Sequence, residues 1–462
     1  MSQWLTHTSA SQDDAFWQQA YTDATTWQDD TGALREVTER YRDERLEMLG
    51  YGAAGLVFKG QRKFATGYAD VAVKMMLPNE ASATTMAIRE TRALIFLQNV
   101  AVSAHNKLCA PHLVCYVDHF VALPGARLFE IIADFIEPKR ASQSSQSSTD
   151  DESVAKRVVA NKFSSLVAGS ENKPVHFIET HFVAGRSLRA MYREDGLPGG
   201  RMPFAKNLEM LLSAAQALQF MHAHELIHSD IKPDNIMVGH LYDGAPGHRG
   251  LTAMAMTSVA PECTLLDMGL ACRVNAKKAT VDEAIDDVGT CVTFPGAVGY
   301  YAPAQMRPQA RSTLHKIAFA TRASWDVYAL GLSFRDYGLD INTENLRLLP
   351  LQSWEVTTMF VDAFDLGQPI AAVDESRSRV PIAPHFHESG DNADRALSRI
   401  IGSMLVLGDT RRATAADVVE DLLALKRSSS LHAPSPKKGV FSSLFEKRPR
   451  RPSGGGGGGG DD

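Results

Sequence analysis

The stretch "LIHSDIKPDNIMV", Leu226–Val238, decides the fold of this chain. It places a His, an Asp, a Lys, a second Asp and an Asn close together, and apolar residues bound it on both sides. A carboxylate such as Asp230 can accept a proton from an attacking hydroxyl, Lys232 can bind a phosphoryl group, and the amide oxygen of Asn235 can ligate a metal. A working catalytic loop, an inactive remnant of one and an ordinary polar turn are all open at this point.

The composition is that of a soluble globular protein. The chain has 462 residues, of which 44% are hydrophobic and 22% charged, and its net charge is -6. This charge gives no electrostatic reason to expect nucleic-acid binding. The N-terminus lacks a signal pattern, and no apolar run approaches the ~20 residues of a membrane helix, so no membrane partner is expected. Five cysteines without a CxxC pattern favour a reducing compartment, and hence an intracellular protein, cytoplasmic or nuclear.

Three segments follow from the changes in composition. Residues 1–44 form a polar N-terminal extension, in which "ALREVTERYRDERLEML" is predicted to be helical. Residues 45–426 form the main domain, with a Ser-rich flexible insertion at 139–173 and an inserted loop at 239–261. Residues 427–462 are a low-complexity tail that is predicted to be disordered.

Strand patterns dominate the first part of the main domain. "LGYGAAGLVFKG" and "DVAVKMML" are predicted to be strands, and "ATTMAIRETRALIFLQNV" has helical spacing. Three further strands are predicted in "HLVCYVDHFVAL", "RLFEIIADFI" and "VHFIETHFVAG". From about residue 187 the pattern is mostly helical. The predicted fold class is therefore α+β, with a small β-rich lobe, one main helix, and a larger helical lobe.

Glycines punctuate the first strand pair in a GxGxxG pattern made by Gly50, Gly52 and Gly55, with Val57 two positions on. Glycines let the backbone approach a phosphate closely and direct N–H groups at it. A dinucleotide-binding site needs a helix directly after the glycines, whereas "LVFKG" has the pattern of a strand. The pattern favours a β-hairpin folded over a nucleotide, and a plain glycine-rich hairpin remains the alternative.

Charged residues elsewhere can complete a phosphate site. Lys74 ends the strand "VAVK" and could neutralise phosphates, although a strand lysine more often faces solvent. Glu90 on the following helix is the candidate partner that would hold it. Asp267 ends the strand in "CTLLDMGLA", where a carboxylate before a glycine is well placed to hold Mg²⁺ against phosphates.

Taken together, the motifs of residues 45–426 resemble the eukaryotic-type protein kinase family. The glycine loop, "VAVK", "HSDIKPDN", "DMG", "GAVGYYAPAQ", "SWDVYALG" and "RRAT" follow one another in the family's order. The resemblance implies a bilobal kinase fold, ATP and Mg²⁺ as cofactors, and a protein substrate, with Asp326 supporting the catalytic loop. Lys232, two positions after Asp230, is similar to the Ser/Thr-specific form of the motif.

The resemblance also implies the role of each site residue. Asp230 is the catalytic base with Lys232 beside it, and Asn235 and Asp267 hold the metal. The implied ATP-binding residues are Gly50, Tyr51, Gly52, Gly55, Val57, Ala72, Lys74, Glu90, Thr180, Phe182 and Val183.

The hinge that would contact the adenine has two candidates. "RLFEIIADFIEP" follows the preceding strand at hairpin distance, whereas "HFIETHFVAGRSL" leads into the start of the next helix. We favour His181–Val183 as the hinge, with Thr180 limiting the depth of the pocket.

Several positions depart from the family pattern. Ser229 replaces the Arg that receives an activation-loop phosphate, so regulation by such phosphorylation loses its main receptor. Met268 replaces a Phe, which an adaptable apolar side chain should tolerate. In the activation segment, Ala297 replaces a Thr and Ala304 replaces a Glu whose partner would be Arg412. We expect lower stability of this segment, with hydrogen bonding by Gln305 as a partial substitute.

Cys272 and Cys291 flank the first half of this segment. They are either two small, partly buried side chains or a redox-sensitive pair. Three functions are consistent with the sequence: an active Ser/Thr protein kinase, a pseudokinase scaffold that binds nucleotide, and a small-molecule phosphotransferase. The first is favoured, because the lysine, the acidic residues and the asparagine are all present.

Overall fold

A computed structural model describes most of the two lobes of this chain. The described residues are 25–51, 55–65, 67–76, 81–136, 173–194, 204–241, 262–273, 300–302, 305, 317–338, 392–406, 408–409 and 411–431. Gly52, Cys291, Ala297 and Ala304 lie outside them, as do residues 139–172 of the predicted flexible insertion and the tail from residue 432.

The first lobe is built on a six-stranded sheet. Its strands are β1 (Thr25–Thr26), β2 (Leu46–Tyr51), β3 (Gly55–Phe64), β4 (Gly67–Met76), β5 (Tyr116–Ala122) and β6 (Val175–His181). They lie in the order β1-β5-β6-β4-β3-β2. All neighbouring strands are antiparallel except the short β1, which pairs with β5 in parallel. Alternate side chains therefore point to opposite faces of the sheet.

Each face of this sheet is covered by a different element. Helix α1 (Ala81–His105) packs on the inner face, which is directed toward the second lobe. Helix α2 (Gly125–Ile136) covers the outer face, where it shares a hydrophobic core with Val71, Val73 and Phe177 of the sheet. The prediction that "RLFEIIADFI" is a strand was wrong. Buried Leu128, Phe129 and Ile132 recur at helical spacing, and the resulting apolar stripe outweighs the strand propensity of Phe and Ile.

In its described part, residues 25–44, the N-terminal extension is not the helix that its sequence predicted. Residues 25–44, which we call the strap, consist of β1 and two 3₁₀ turns, Val37–Arg40 and Arg42–Glu44. Backbone hydrogen bonds from Trp27 to Val121 and from Val37 to Leu123 tie the strap to the sheet edge. This tertiary pairing prevails over the local helical spacing.

The second lobe is largely helical. Its helices are α3 (Leu188–Glu194), α4 (Phe204–Ala223), α5 (Phe319–Gly338), α6 (Asn392–Met404) and α7 (Ala415–Leu431). Short strands line its junction with the first lobe: β7 (Val183–Ser187), β8 (Leu226–Ile227), β9 (Ile236–Leu241), β10 (Cys263–Leu265) and β11 (Cys272–Arg273). Strand β9 extends into the residues assigned above to an inserted loop, and helix α7 extends into those assigned to a tail. The predicted fold class, a β-rich lobe with one main helix and a larger helical lobe, is confirmed.

Two further expectations concern the cysteines and the membrane. Cys109 and Cys115 form a disulfide, and Cys272 is also disulfide-bonded, so the expectation of reduced thiols was wrong at these positions. The turn that follows α1 brings Cys109 and Cys115 together. Cys263 is a buried free thiol, and its burial raises its pKa. In the described part of the chain, every helix is too short or too polar to cross a bilayer.

Candidate active site

Lys74 is the centre of a partly buried charged triad between the lobes, in which Glu90 is buried and Asp267 is the most exposed. Its Nζ atom lies 2.7 Å from Oε2 of Glu90 on α1 and 2.7 Å from Oδ1 of Asp267, which follows β10. Burial raises the pKa of Glu90 to about 7, against the opposing effect of Lys74. Although burial acts in the other direction, the ammonium of Lys74 lowers the pKa of Asp267 to about 2. The pKa of Lys74 is raised by the two carboxylates. The triad therefore keeps a cation beside an ionised Asp267.

The glycine hairpin lies beside this triad. Gly50 pairs with Val57 across β2 and β3, and Val57 pairs in turn with Lys74 of β4. Gly55 begins β3 directly against the carbonyl of Met75, where a Cβ atom would lie 2.3 Å from the oxygen. A side chain is therefore excluded at Gly55 by close backbone packing alone. Tyr51 is exposed at the tip of β2.

The strand register brings the predicted pocket residues onto one face. Ala72 pairs with Thr180 and Lys74 pairs with Ile178 across β4 and β6, so these side chains share the inner face with the triad. Because the competing hinge "RLFEIIADFIEP" falls on helix α2, on the outer side of the sheet, that alternative is wrong.

Residues His181–Val183 join β6 to β7, and hence the first lobe to the second. The N–H of His181 donates to the carbonyl of Cys115, and that of Phe182 donates to the carbonyl of Asp70 at 3.3 Å. The ammonium of Lys59 lies 4.5 Å from the centroid of the Phe182 ring. The connection is therefore fixed to both neighbouring strands.

The opening stretch forms a compact polar loop between β8 and β9. Oδ2 of Asp230 accepts hydrogen bonds from Nζ of Lys232 at 2.6 Å and from Nδ2 of Asn235 at 2.9 Å. Asp230 and Asn235 are both buried. Oδ1 of Asp230 has no hydrogen bond to any residue that the structure describes. This oxygen is available to accept a proton from a bound hydroxyl.

Asp326 of helix α5 supports the loop from beneath. Its carboxylate accepts the backbone N–H of His228 at 2.8 Å and that of Ser229 at 2.9 Å, and it also contacts Nε2 of His222 at 3.1 Å. Ser229 adopts a left-handed backbone with φ 68°, which is unfavourable for a residue with a Cβ atom. The hydroxyl of Ser229 lies 3.5 Å from the sulfur of Cys272. The Asp326 carboxylate thus holds a strained turn in place.

His228 couples this loop to the strand that carries Asp267. Its Nε2 atom lies 3.0 Å from the carbonyl of Leu266, and its Nδ1 atom accepts the backbone N–H of Asp230 at 3.3 Å. The backbone N–H of Leu266 donates to the carbonyl of Asn235. Sequence reasoning did not assign His228 this role, since a single buried histidine gives no signal of its hydrogen-bond partners.

The departures from the family pattern are accommodated locally. Met268 is fully buried in the main core. The guanidinium of Arg412, expected to lack its Glu partner, donates to the carbonyl and hydroxyl of Ser324 and pairs with Asp409 at 3.0 Å. The side-chain oxygen of Gln305 accepts the N–H of Ala302 at 2.7 Å. Arg412 is therefore held by its own lobe.

Comparison with known proteins gives a family match and several distant relatives. The protein kinase domain family model matches residues 135–422, so the strap and the first five strands precede the matched region. A serine/threonine-protein kinase of Mycolicibacterium smegmatis, PknB, is 29% identical over 168 residues, which cover 36% of this chain and 20% of that protein. PknB of Mycobacterium tuberculosis is 25% identical over 266 residues, covering 56% of this chain and 32% of that protein.

A probable serine/threonine-protein kinase of Clostridium acetobutylicum is 38% identical over 64 residues, covering 14% of this chain and 9% of that protein. The chain thus spans a third or less of the length of these curated relatives. The family match itself covers more than half of the chain. Together with the two-lobed fold and the charged groups gathered between the lobes, it shows that this chain belongs to the protein kinase domain family.

Proposed function

We propose that this protein transfers the γ-phosphoryl group of ATP to Ser or Thr hydroxyls of protein substrates, with Mg²⁺ as the metal cofactor. The observation that carries the proposal is the contact of Lys74 with both Glu90 and Asp267, each at 2.7 Å. A cation therefore lies directly beside a carboxylate that could bind a metal, and this pair supports a phosphate site next to Lys74. The serine/threonine-protein kinases among the relatives support the choice of substrate class.

The residues present have the chemistry that Mg²⁺-ATP requires. Oxygen ligands suit Mg²⁺, and Asp267 supplies an ionised carboxylate because Lys74 lowers its pKa to about 2. Asn235 donates through its amide nitrogen to Asp230, which leaves its amide oxygen for a cation. Bound Mg²⁺ would neutralise the charge that develops on the phosphates. Lys74, fixed by Glu90, would bind the phosphates themselves.

Asp230 would orient the substrate hydroxyl and accept its proton. Lys232 and Asn235 fix the carboxylate through Oδ2, and Oδ1 is left toward the substrate. Lys232, whose Nζ atom lies 2.6 Å from Oδ2 of Asp230, would contact the transferred phosphoryl group, where its positive charge would stabilise the transition state. The roles of Gly50, Gly55, Val57, Ala72, Thr180, Phe182 and Val183 in holding the nucleotide belong to the same proposal.

The test compares Asp230→Asn with Asp234→Asn in the same loop. Asp234 is exposed and pairs with Arg189 at 3.0 Å, so its substitution makes the same chemical change outside the proposed site. We expect Asp230→Asn to abolish ³²P transfer to generic basic and acidic proteins, and Asp234→Asn to retain it. If neither variant loses transfer, the assignment of Asp230 as the catalytic base is contradicted. A wild-type protein that binds Mg²⁺-ATP but phosphorylates no protein, itself included, would favour the scaffold function instead.

A further inference from the structure

A compact group of four charged side chains lies on the outer face of the first lobe. Glu179 of β6 accepts hydrogen bonds from Nε of Arg40 at 3.1 Å and from Arg62. Asp118 of β5 contacts Nη2 of Arg62 at 3.0 Å and also pairs with Arg40. The hydroxyl of Tyr41 donates to Oε1 of Glu179 at 2.6 Å. We call these five residues the outer cluster.

The centre of the outer cluster is buried, Arg62 and Asp118 at its rim are partly exposed, and its charges balance. Glu179 is 0% exposed, and Arg40 and Tyr41 are largely covered. The two arginines offset the two carboxylates, and the Arg40 guanidinium also lies 4.1 Å from the centroid of the Phe120 ring. A buried carboxylate is strongly unfavourable unless it is paired and hydrogen-bonded. The position of Glu179 therefore depends on the residues that surround it.

Two of these residues come from the strap. Arg40 and Tyr41 lie at the end of its first 3₁₀ turn, and the strap is tied along β5 by backbone hydrogen bonds. Trp27 of the strap also contacts the Arg40 guanidinium, at 5.0 Å from the ring centroid. The strap precedes the residues matched by the family model, so the contact is a feature of this chain that the match does not describe.

Glu179 connects the outer cluster to the proposed adenine pocket. It pairs with Val73 on the outer face, whereas its neighbour Thr180 pairs with Ala72 on the inner face. His181 and Phe182 follow directly, and their N–H groups are fixed to the neighbouring strands. A shift of the Glu179 side chain would therefore move the backbone that carries the hinge.

We propose that the strap is a positioning element of the nucleotide site, in which Arg40 and Tyr41, through buried Glu179, fix the hinge that would contact the adenine. This inference rests on the proposed function in so far as the ligand is ATP. Arg40 and Tyr41 are positioning residues, since both act through Glu179 and lie on the opposite face of the sheet from the triad.

The experiment uses the full chain with Tyr41→Phe and Arg40→Lys. Tyr41→Phe removes one hydroxyl, and Arg40→Lys keeps the charge but loses the fork geometry that contacts both carboxylates. Arg42→Lys is the matched control, because Arg42 lies on the strap but is exposed and contacts Asp43. Calorimetry measures the Kd of adenosine and of tripolyphosphate separately, at a temperature where circular dichroism shows each variant folded. Hydrogen exchange without ligand measures the exchange rates of the backbone amides of His181 and Phe182.

We expect the Kd of adenosine to rise about fivefold in both cluster variants, equivalent to about 1 kcal/mol. The Kd of tripolyphosphate should not change, because Lys74 and Glu90 are untouched. The amides of His181 and Phe182 should exchange faster, and Arg42→Lys should match the wild type in every measurement. If Arg40→Lys does not fold, Tyr41→Phe alone decides the result.

An unchanged adenosine Kd with unchanged hinge exchange would overturn the inference. Equal weakening of adenosine and tripolyphosphate would also overturn it, because that result indicates general loosening of the lobe. The test of the strap by adenosine binding can be distinguished from the test of the proposed function by phosphoryl transfer. A wild-type protein that binds adenosine but transfers no phosphate would contradict the kinase activity and leave the positioning role intact.

Discussion

The carboxylate of Asp326 accepts the backbone N–H of Ser229 at 2.9 Å, although the two residues lie 97 positions apart in the chain. Ser229 has φ 68°, and the same carboxylate accepts the N–H of His228. The strained turn that precedes Asp230 is therefore fixed by helix α5. A buried acceptor for both amides is what allows a non-glycine residue to remain in this conformation.

Asp326→Asn should impair catalysis and stability together. An amide has one acceptor oxygen, so one of the two backbone N–H groups would lose its partner at a cost of about 1–3 kcal/mol. Displacement of Asp230 by about 1 Å should lower kcat by about 100-fold. Urea unfolding and steady-state phosphorylation measure the two effects. Asp421→Asn, an exposed position on α7, is the control and should change neither. Wild-type kcat in Asp326→Asn would contradict the supporting role.

Glu90 should give the protein a measurable pH dependence of stability in the absence of ligands. Its pKa is raised from 4.5 to about 7 in the folded state, so the native protein binds the proton more tightly than the unfolded chain does. The stabilisation is complete below about pH 4.5 and is lost as the pH rises through about 7. The lowered pKa of Asp267, about 2, acts at more acidic pH and does not overlap this window.

The measurement is the free energy of unfolding from about pH 5 to about pH 8, the range in which Glu90 loses its proton in the folded protein. We expect the wild type to lose stability relative to Glu90→Gln as the pH rises. The amide in Glu90→Gln cannot titrate, so the difference between the two proteins isolates the carboxyl group. Parallel curves for the two proteins would contradict the raised pKa.

Gly239→Ala should disrupt the pairing of strands β7 and β9, which begins at the end of the hinge. Gly239 pairs with Gly185 across β9 and β7, and a Cβ atom at Gly239 would lie 2.0 Å from the carbonyl oxygen of Ala184. The strands would have to separate, and overpacking of this kind costs about 1–3 kcal/mol. Thermal unfolding measures the effect. Gly408→Ala is the control, because a Cβ atom there meets nothing within 4 Å. An unchanged Tm in Gly239→Ala would show that the two strands do not approach this closely.

Arg412→Met should destabilise the second lobe more than removal of its hydroxyl partner does. The substitution leaves Asp409 without its cation and the carbonyl of Ser324 without this donor, at a cost of about 3–5 kcal/mol for a broken buried pair. Ser324→Ala removes two hydrogen bonds, the one accepted from Arg412 and the one donated to the carbonyl of Thr321, and should cost about 2 kcal/mol. Arg411→Met, at the exposed adjacent position, is the control. The assignment would be refuted if urea unfolding showed that Ser324→Ala lowers the free energy of unfolding more than Arg412→Met does.

The sequence predicted the elements whose signals are local. The spacing of apolar residues identified α1 and α4, and alternating β-branched residues identified β4 and β6. Local signals failed where tertiary contacts decide the conformation. The stretch "RLFEIIADFI" is rich in residues that suit either a strand or a helix, and only the outer face of the sheet selects the helix. The strap has helical spacing but is drawn into backbone pairing with β5.

The candidate site shows the same division. The motifs along the chain were sufficient to propose Lys74, Asp230, Asn235 and Asp267, because each motif carries its chemistry in a few adjacent residues, and Glu90 was proposed as the partner of Lys74 on the following helix. The contacts between them were not predictable in the same way. The link from His228 to Leu266 and the outer cluster around Glu179 join residues far apart in the chain, and a single histidine or glutamate in an apolar stretch does not specify its partner.

By itself, the sequence determined which chemical groups this protein has and in which order the chain presents them. The tertiary structure alone decided which of these groups meet: Lys74 with two carboxylates, Asp326 with the strained turn, and Arg40 with buried Glu179. The physical reason is that burial is a property of the folded packing. A charged side chain that is exposed to water is stabilised by hydration. It requires a specific partner only when the fold has excluded water from it.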